Sequence, residues 1–166
     1  MQMSDDLVRC LFFASRGTLW VGTDGGGLNR FVPEKGSFLR YQPSPSVPGS
    51  LSHAKVRVIF EDRSGRIWIG TFGGGLNRYE KDTDSFTVFR HDAANPNGLC
   101  NDFVMSLNED SAGNLWIGTE AGLNRFEYMM KLFGYCAGII LLLALSGCKV
   151  NSSRTFPFSG SSVNAD

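Results

Sequence analysis

The stretch GRIWIGTFGGGLNRY, Gly65 to Tyr79, decides how this chain is read. It recurs upstream as GTLWVGTDGGGLNRF from Gly17 and downstream as GNLWIGTEAGLNRF from Gly113, the last copy one residue shorter in its glycine run. Trp20, Trp68 and Trp116 mark the same position at intervals of 48 residues, and VRCLF, VRVIF and VMSLN align ahead of them. A fixed period of this length is the signature of a repeat architecture in which each copy is one supersecondary unit.

The middle copy divides into four short strands. Lys55 to Glu61 is dense in β-branched residues. Asp62-Arg63-Ser64-Gly65 follows, in which the aspartate side chain caps a type I turn and the glycine supplies positive φ. The second strand is Arg66 to Thr71, and Gly73 to Gly75 makes the next reversal. Leu76 to Glu80 and Phe86 to Arg90 complete the unit, with an Asn-Pro-Asn-Gly loop leading onward. Four antiparallel strands per period is the size of one β-propeller blade, and the 3.6-residue periodicity of helical repeats is absent. The sequence predicts an all-β fold: a disordered stretch 1–6, blades at 7–54 and 55–102, and a truncated blade at 103–128. Propellers close with about four to eight blades, so three form an incomplete ring with two apolar blade faces open.

The repeat resembles that of the two-component regulator propeller family, I-x-E-D-x-x-G-x-(L/I)-W-I-G-T followed by G-G-L-N-R. Ile59 to Arg78 and Leu107 to Arg125 carry it closely, and the three copies cover about 120 residues. Copy one departs, with Phe13 and Ala14 where Glu61 and Asp62 stand, which weakens its turn. The resemblance implies a sensory role on the periplasmic side of membrane-bound signalling proteins.

The repeat text stops near residue 128. Residues 132 to 147 carry no charge. Read from Met130, Lys131 is a basic n-region, Leu132 to Ala144 an apolar h-region, and Leu145-Ser146-Gly147-Cys148 is similar to a lipobox. The expectation is a hydrophobic helix within 129–148, a lipoprotein-signal-like segment with Cys148 as lipidation candidate, or a membrane anchor. Residues 149–166 are Ser/Asn-rich and predict a disordered polar tail. A leader lying inside a chain predicts two reading units joined near residue 128, and the polar Met1 to Asp6 is no export signal.

Charge is balanced at 16 basic and 16 acidic residues, which gives no basic stripe for nucleic acid. The four cysteines show no C-x-x-C spacing; Cys10 and Cys100 stand where Val58 and Ser52 stand and read as packing filler. The glycine runs match neither phosphate-binding pattern and read as strand connections. Asp62 and Asp110, with Gly65 and Gly113, read as turn formers; one aspartate per turn makes no calcium site, so no metal or cofactor is expected. Arg30, Arg78 and Arg125 lie on third strands. Alternation puts Arg78 with Leu76, facing a neighbouring blade, where inter-blade hydrogen bonding is expected. His53 and His91 have no repeated carboxylate partner, so no nucleophile–base order can be built and no enzyme is expected.

Ligand contacts are expected on the face shared by the loop after strand two and the inter-blade loop. That face would carry Asp24, Phe72, Glu120, Asn101 and Asp102, which differ between copies while the frame stays constant. The resulting reading is a non-catalytic sensory or ligand-binding module. Its partners are a small molecule or glycan, further blades or an output domain on another chain, and a membrane through 132–148. Three alternatives stay open: a protein-interaction scaffold, a small lipoprotein with an upstream propeller remnant, and an enzyme similar to the streptogramin lyases. In cells fed radiolabelled palmitate, label is expected on the full chain and is lost in Cys148→Ser; an unlabelled wild type would remove the lipoprotein reading.

Overall fold

The computed structural model describes residues 7–95, 98–126 and 149–150. Three four-stranded antiparallel sheets follow one another along the chain. The first holds β1 (Val8–Phe13), β2 (Leu19–Thr23), β3 (Leu28–Val32) and β4 (Ser37–Tyr41), with a 3-10 turn at Pro33–Lys35. The second holds β5 (Val56–Glu61), β6 (Ile67–Thr71), β7 (Leu76–Glu80) and β8 (Ser85–Phe89). The third holds β9 (Val104–Glu109), β10 (Leu115–Thr119), β11 (Gly122–Phe126) and β12 (Lys149–Val150). Each sheet follows chain order as an up-and-down meander, the all-β blade architecture that the repeat predicts.

The fourth strand of the third sheet corrects one expectation. Lys149 and Val150 pair with Arg125 and Asn124, where the sequence predicts a disordered tail from 149. The open edge of β11 is a row of unpaired backbone donors and acceptors, and an extended segment satisfies it. The expected lipobox-bearing helix at 129–148, Cys148 and the rest of the tail lie outside the described residues. No helix among the described residues is long and apolar enough to cross a membrane.

The cores lie between sheets rather than within them. One cluster joins Trp20 and Leu28 of the first sheet to Val56, Ile59, Ile67, Ile69, Tyr79 and Phe86 of the second. Another joins Trp68 and Leu76 to Val104, Leu115 and Ile117 of the third. A single sheet has only one layer, so it buries its apolar residues against the next blade. The ends of the stack show the same rule in reverse. Leu11, equivalent to the buried Ile59, is 64% exposed, and Leu123, equivalent to the buried Leu28 and Leu76, is 54% exposed.

Inner strands approach one another at Gly22 and Gly70. A Cβ on Gly70 would stand 2.6 Å from Val104 Cγ1 and from Val58 Cγ1. At Gly22 it would stand 2.6 Å from Val56 Cγ1. The W-x-G-T glycine is therefore a packing requirement between blades, with no need for positive φ. In urea unfolding, Gly70→Ala is expected to lose about 1–3 kcal/mol through overpacking. Gly118→Ala, whose Cβ would meet only the Ser106 side chain and backbone, loses less.

Candidate functional site

Each inner strand begins with a β-bulge. Register shifts between Val8 and Cys10, between Val56 and Val58, and opposite Gly118/Thr119. The extra residues are Arg9, Arg57 and Met105, and a bulge re-aims the residue it adds. Arg9 and Arg57 thereby meet the loops that follow β2 and β6. Arg9 Nη2 donates to Asp24 Oδ2 at 2.5 Å, and Arg57 Nη2 lies 3.9 Å from Asp24 Oδ1. The Arg57 guanidinium also sits 4.6 Å from the Phe72 ring centroid, a cation–π distance. Phe72 meets Phe103 edge to face at 4.6 Å. The bridges Asp24–Lys55 and Phe72–Phe103 tie each of these loops to the next blade.

The result is a continuous rim at one end of the inner strands: Arg9, Asp24, Arg57, Phe72 and Phe103. The hydrogen bond from Arg9 holds the Asp24 carboxyl below the usual carboxylate range, aided by the charges of Arg9, Arg57 and Lys55 against some desolvation. Asp24 Oδ1 and Arg57 Nε are both buried, and neither has a hydrogen-bond partner among the described residues.

Of the expected contact residues, Asp24 and Phe72 are therefore brought together through Arg57. Glu120 stands at the equivalent position one blade on, with its backbone N–H donating to Phe103 O at 3.1 Å and its side chain exposed. Asn101 and Asp102 brace the loop instead. Asn101 Oδ1 accepts the Phe103 N–H, and Asp102 Oδ1 accepts that of His91. The Asp102 carbonyl accepts the N–H groups of Gly73 and Gly75. Arg9 and Arg57 were not foreseen. Their signal, a bulge after the first valine of each copy, depends on pairing and is not written in local sequence.

The repeated framework residues form two devices. In the first, an aspartate joins the turn to the tryptophan. Asp62 Oδ1 accepts the N–H of Ser64 and Arg66, and its Oδ2 accepts Arg66 Nε at 2.7 Å and Trp68 Nε1 at 2.9 Å. Asp110 does the same with Ala112, Asn114 and Trp116. The turn-capping role expected of both aspartates is present, and the indole bond is an addition. Hydrogen bonds from Asn114 and Trp116 bring Asp110 down to about 2. Burial works to raise Asp62, but the donors outweigh it and its pKa is also lowered.

In the second device, a glutamate hooks the preceding blade. Glu61 accepts the Ser15 N–H at 2.5 Å and the Ser15 hydroxyl at 2.7 Å. Glu109 accepts the Arg63 N–H at 2.8 Å and pairs with its guanidinium at 2.9 Å. Buried Asn77 and Asn124 anchor the inter-blade loops: Asn77 Oδ1 accepts the Ser52 N–H, and Asn124 Oδ1 accepts the N–H and thiol of Cys100. Cys100 thus corrects its reading as filler, because it replaces Ser52 at a hydrogen-bonding position. Cys10 is half-buried against the core, and desolvation pushes its thiol up to about 11.

The arginines divide. Arg30 crosses to the second blade, donating to the Tyr79 hydroxyl and lying 3.7 Å from Asp84 Oδ1. Arg78 corrects the expectation of an inter-blade bond, since it pairs with Glu80 of its own blade at 2.7 Å. The residue equivalent to Tyr79 in the next blade is Phe126, which has no hydroxyl to accept. Arg30, Arg78 and Arg125 all lie over the tryptophan of their own blade, at 5.6, 5.9 and 5.8 Å. Asp84, at φ 49°, accepts the hydroxyls of Tyr41 and Tyr79 at 2.7 and 2.6 Å.

This geometry has counterparts among known proteins. Residues 2–25, 50–73 and 98–121 match the family model described as Two component regulator propeller. Three stretches of this chain are thus similar to two component regulator propeller repeats. The extracellular domain described for hybrid two component system BT3049 from B. thetaiotaomicron superposes with a TM-score of 0.68 at 26% identity. That match covers 75% of this chain and 17% of that one. The extracellular domain described for hybrid two component system BT4673 of the same organism gives 0.60 at 23% identity, with 75% and 17% covered. Virginiamycin B lyase from Staphylococcus aureus gives 0.55 at 15%, covering 76% of this chain and 41% of that one. The last two show the fold alone. The chain spans about 17% of the length of the two extracellular domains it matches. No curated protein sequence matches this one.

The repeat's aspartates set an acid limit. Their folded pKa values lie below an unfolded value of about 3.9, so their stabilisation is complete above that pH and is lost as pH falls through the folded values. Melting temperature is expected to drop between about pH 4 and pH 2, with a shallower drop in Asp110→Asn. An equal slope in the variant counts against the clamp.

Proposed function

We propose that this chain is a non-catalytic sensory module whose three blades belong to a propeller on the extracellular side of a two-component-type signalling protein. The observation that carries the reading is the rim, where positions that differ between copies are brought together on a frame that stays constant. Asp24 and Phe72 differ in chemistry but occupy one repeat position, and Arg57 contacts both. A carboxylate and a guanidinium that each keep an unsatisfied polar atom, beside two half-buried aromatic rings, suit a small polar ligand or glycan, with stacking and hydrogen bonding supplied together. The repeat match and the likeness, at 26% identity, to the extracellular domain described for a hybrid two component system support the sensory assignment.

Both end faces of the stack are apolar, which supports the presence of further blades in the working assembly. Signalling output then lies on another segment or chain, and the periplasmic or extracellular side is the place of action. His53 Nδ1 accepts the Lys55 N–H at 3.1 Å, and His91 Nδ1 lies 2.6 Å from Leu99 O. Both rings are engaged in holding loops, which favours binding over lyase chemistry.

A thermal-shift panel of glycans and small metabolites on the full chain is expected to give at least one saturable stabiliser. Asp24→Ala and Phe72→Ala abolish that response while far-UV circular dichroism stays unchanged. Silence across the panel from a cooperatively melting protein would favour the protein-interaction scaffold.

A further inference from the structure

The second candidate site lies at the other end of the sheets, in the turn joining β1 to β2. The turn backbone is the same in all three blades. Ala14 N donates to Thr18 O at 2.9 Å and Gly17 N to Ala14 O at 2.8 Å, as Asp62 and Asp110 do in their own turns. In blades two and three the aspartate carboxylate accepts two turn N–H groups and the indole Nε1–H. In blade one the side chain at this position is a methyl group. The equivalent donors are Arg16 N–H, Thr18 N–H and Trp20 Nε1–H, and none has an acceptor among the described residues. Trp20 is only 2% exposed, so its indole is a buried ring with an uncommitted donor. As in the other two blades, the third-strand arginine lies over the ring, with Arg30 at 5.6 Å.

A cleft of about 270 Å³ opens at this point, lined by Ala14, Arg16, Trp20, Arg30, Tyr79 and Lys81, among others. Arg16 and Lys81 have no carboxylate partner among the described residues. Glu61 and Glu80 also line the cleft, but both are committed, Glu61 to Ser15 and Glu80 to Arg78 and Thr87. A carboxylate is compatible with a glutamate so placed. Glu109 hooks the turn of Asp62 as Glu61 hooks the turn of Ala14, and Asp62 remains ionised beside it.

We propose that this cleft binds a small free carboxylate, whose oxygens occupy the place that the aspartate side chain fills in the other two blades. The bound carboxylate accepts from Trp20 Nε1–H and the two turn N–H groups, with Arg16 and Lys81 supplying positive charge. Each donor–acceptor pair has its template within the same chain. The site is separate from the rim and stands whether or not the rim binds a ligand.

Formate and acetate are the probes. In a 15N-labelled full chain, titration with formate at constant ionic strength is expected to move one of the three indole N–H resonances, that of Trp20. A formate ion has three heavy atoms, so half-saturation falls at about millimolar or weaker. The resonances of Trp68 and Trp116, already bonded to aspartates, stay still. Ala14→Asp is expected to shift the Trp20 resonance toward the other two, to raise the melting temperature, and to abolish the response to formate. Trp20→Phe keeps a ring and loses the thermal stabilisation by formate. Equal movement of all three resonances, the same response to chloride, or a response that survives in Ala14→Asp would overturn the proposal.

Discussion

The structure depends on a tryptophan of one blade packing against an aromatic ring of the next. Trp20 meets Tyr79 at 4.9 Å, and Trp68 meets Phe126 at 5.8 Å. Tyr41 and Phe89 complete the two clusters at equivalent positions. Such pairs contribute about 0.5–1.5 kcal/mol beyond the area they bury. Their larger effect is on shape. A four-stranded sheet with no second layer of its own has its core only in these seams, so each blade is stable in proportion to its neighbours.

The two seams use different chemistry on the same frame. Between blades one and two, Tyr41, Tyr79, Asp84 and Arg30 form a polar cluster at the edge of the aromatic packing. Burial and the bond to Asp84 raise the pKa of Tyr41, and burial raises that of Tyr79. Between blades two and three the corresponding rings are Phe89 and Phe126, and Arg78 turns to Glu80. Copy one, which lost both acidic residues of its turn, keeps its place because the turn backbone is intact and because Glu61 reaches across to Ser15. The hook survives on the side that faces a blade.

The rim follows from the same frame. Bulges at the start of each inner strand turn Arg9 and Arg57 toward the loops, and the inter-blade bridges bring Asp24 and Phe72 beside them. The loops differ in charge and shape without disturbing the seams, because Asn77 and Asn124 hold the connecting segments from below.

The sequence by itself determined the repeat, its 48-residue period, and the four strands of the middle blade with their bounds to within a residue. Those features are local: alternation, turn residues and a tryptophan marker are readable in any one copy. It also singled out Asp62 and Asp110, because a turn cap acts within four residues. Tertiary structure alone decided which residues face each other across a seam. The equivalence of Arg30 and Arg78 in sequence hides their different partners, since the difference lies in a hydroxyl on the next blade. The bulged arginines and the glutamate hook are likewise products of pairing between segments about 15 to 50 residues apart. Such contacts arise from the stacking of blades, which no single repeat encodes.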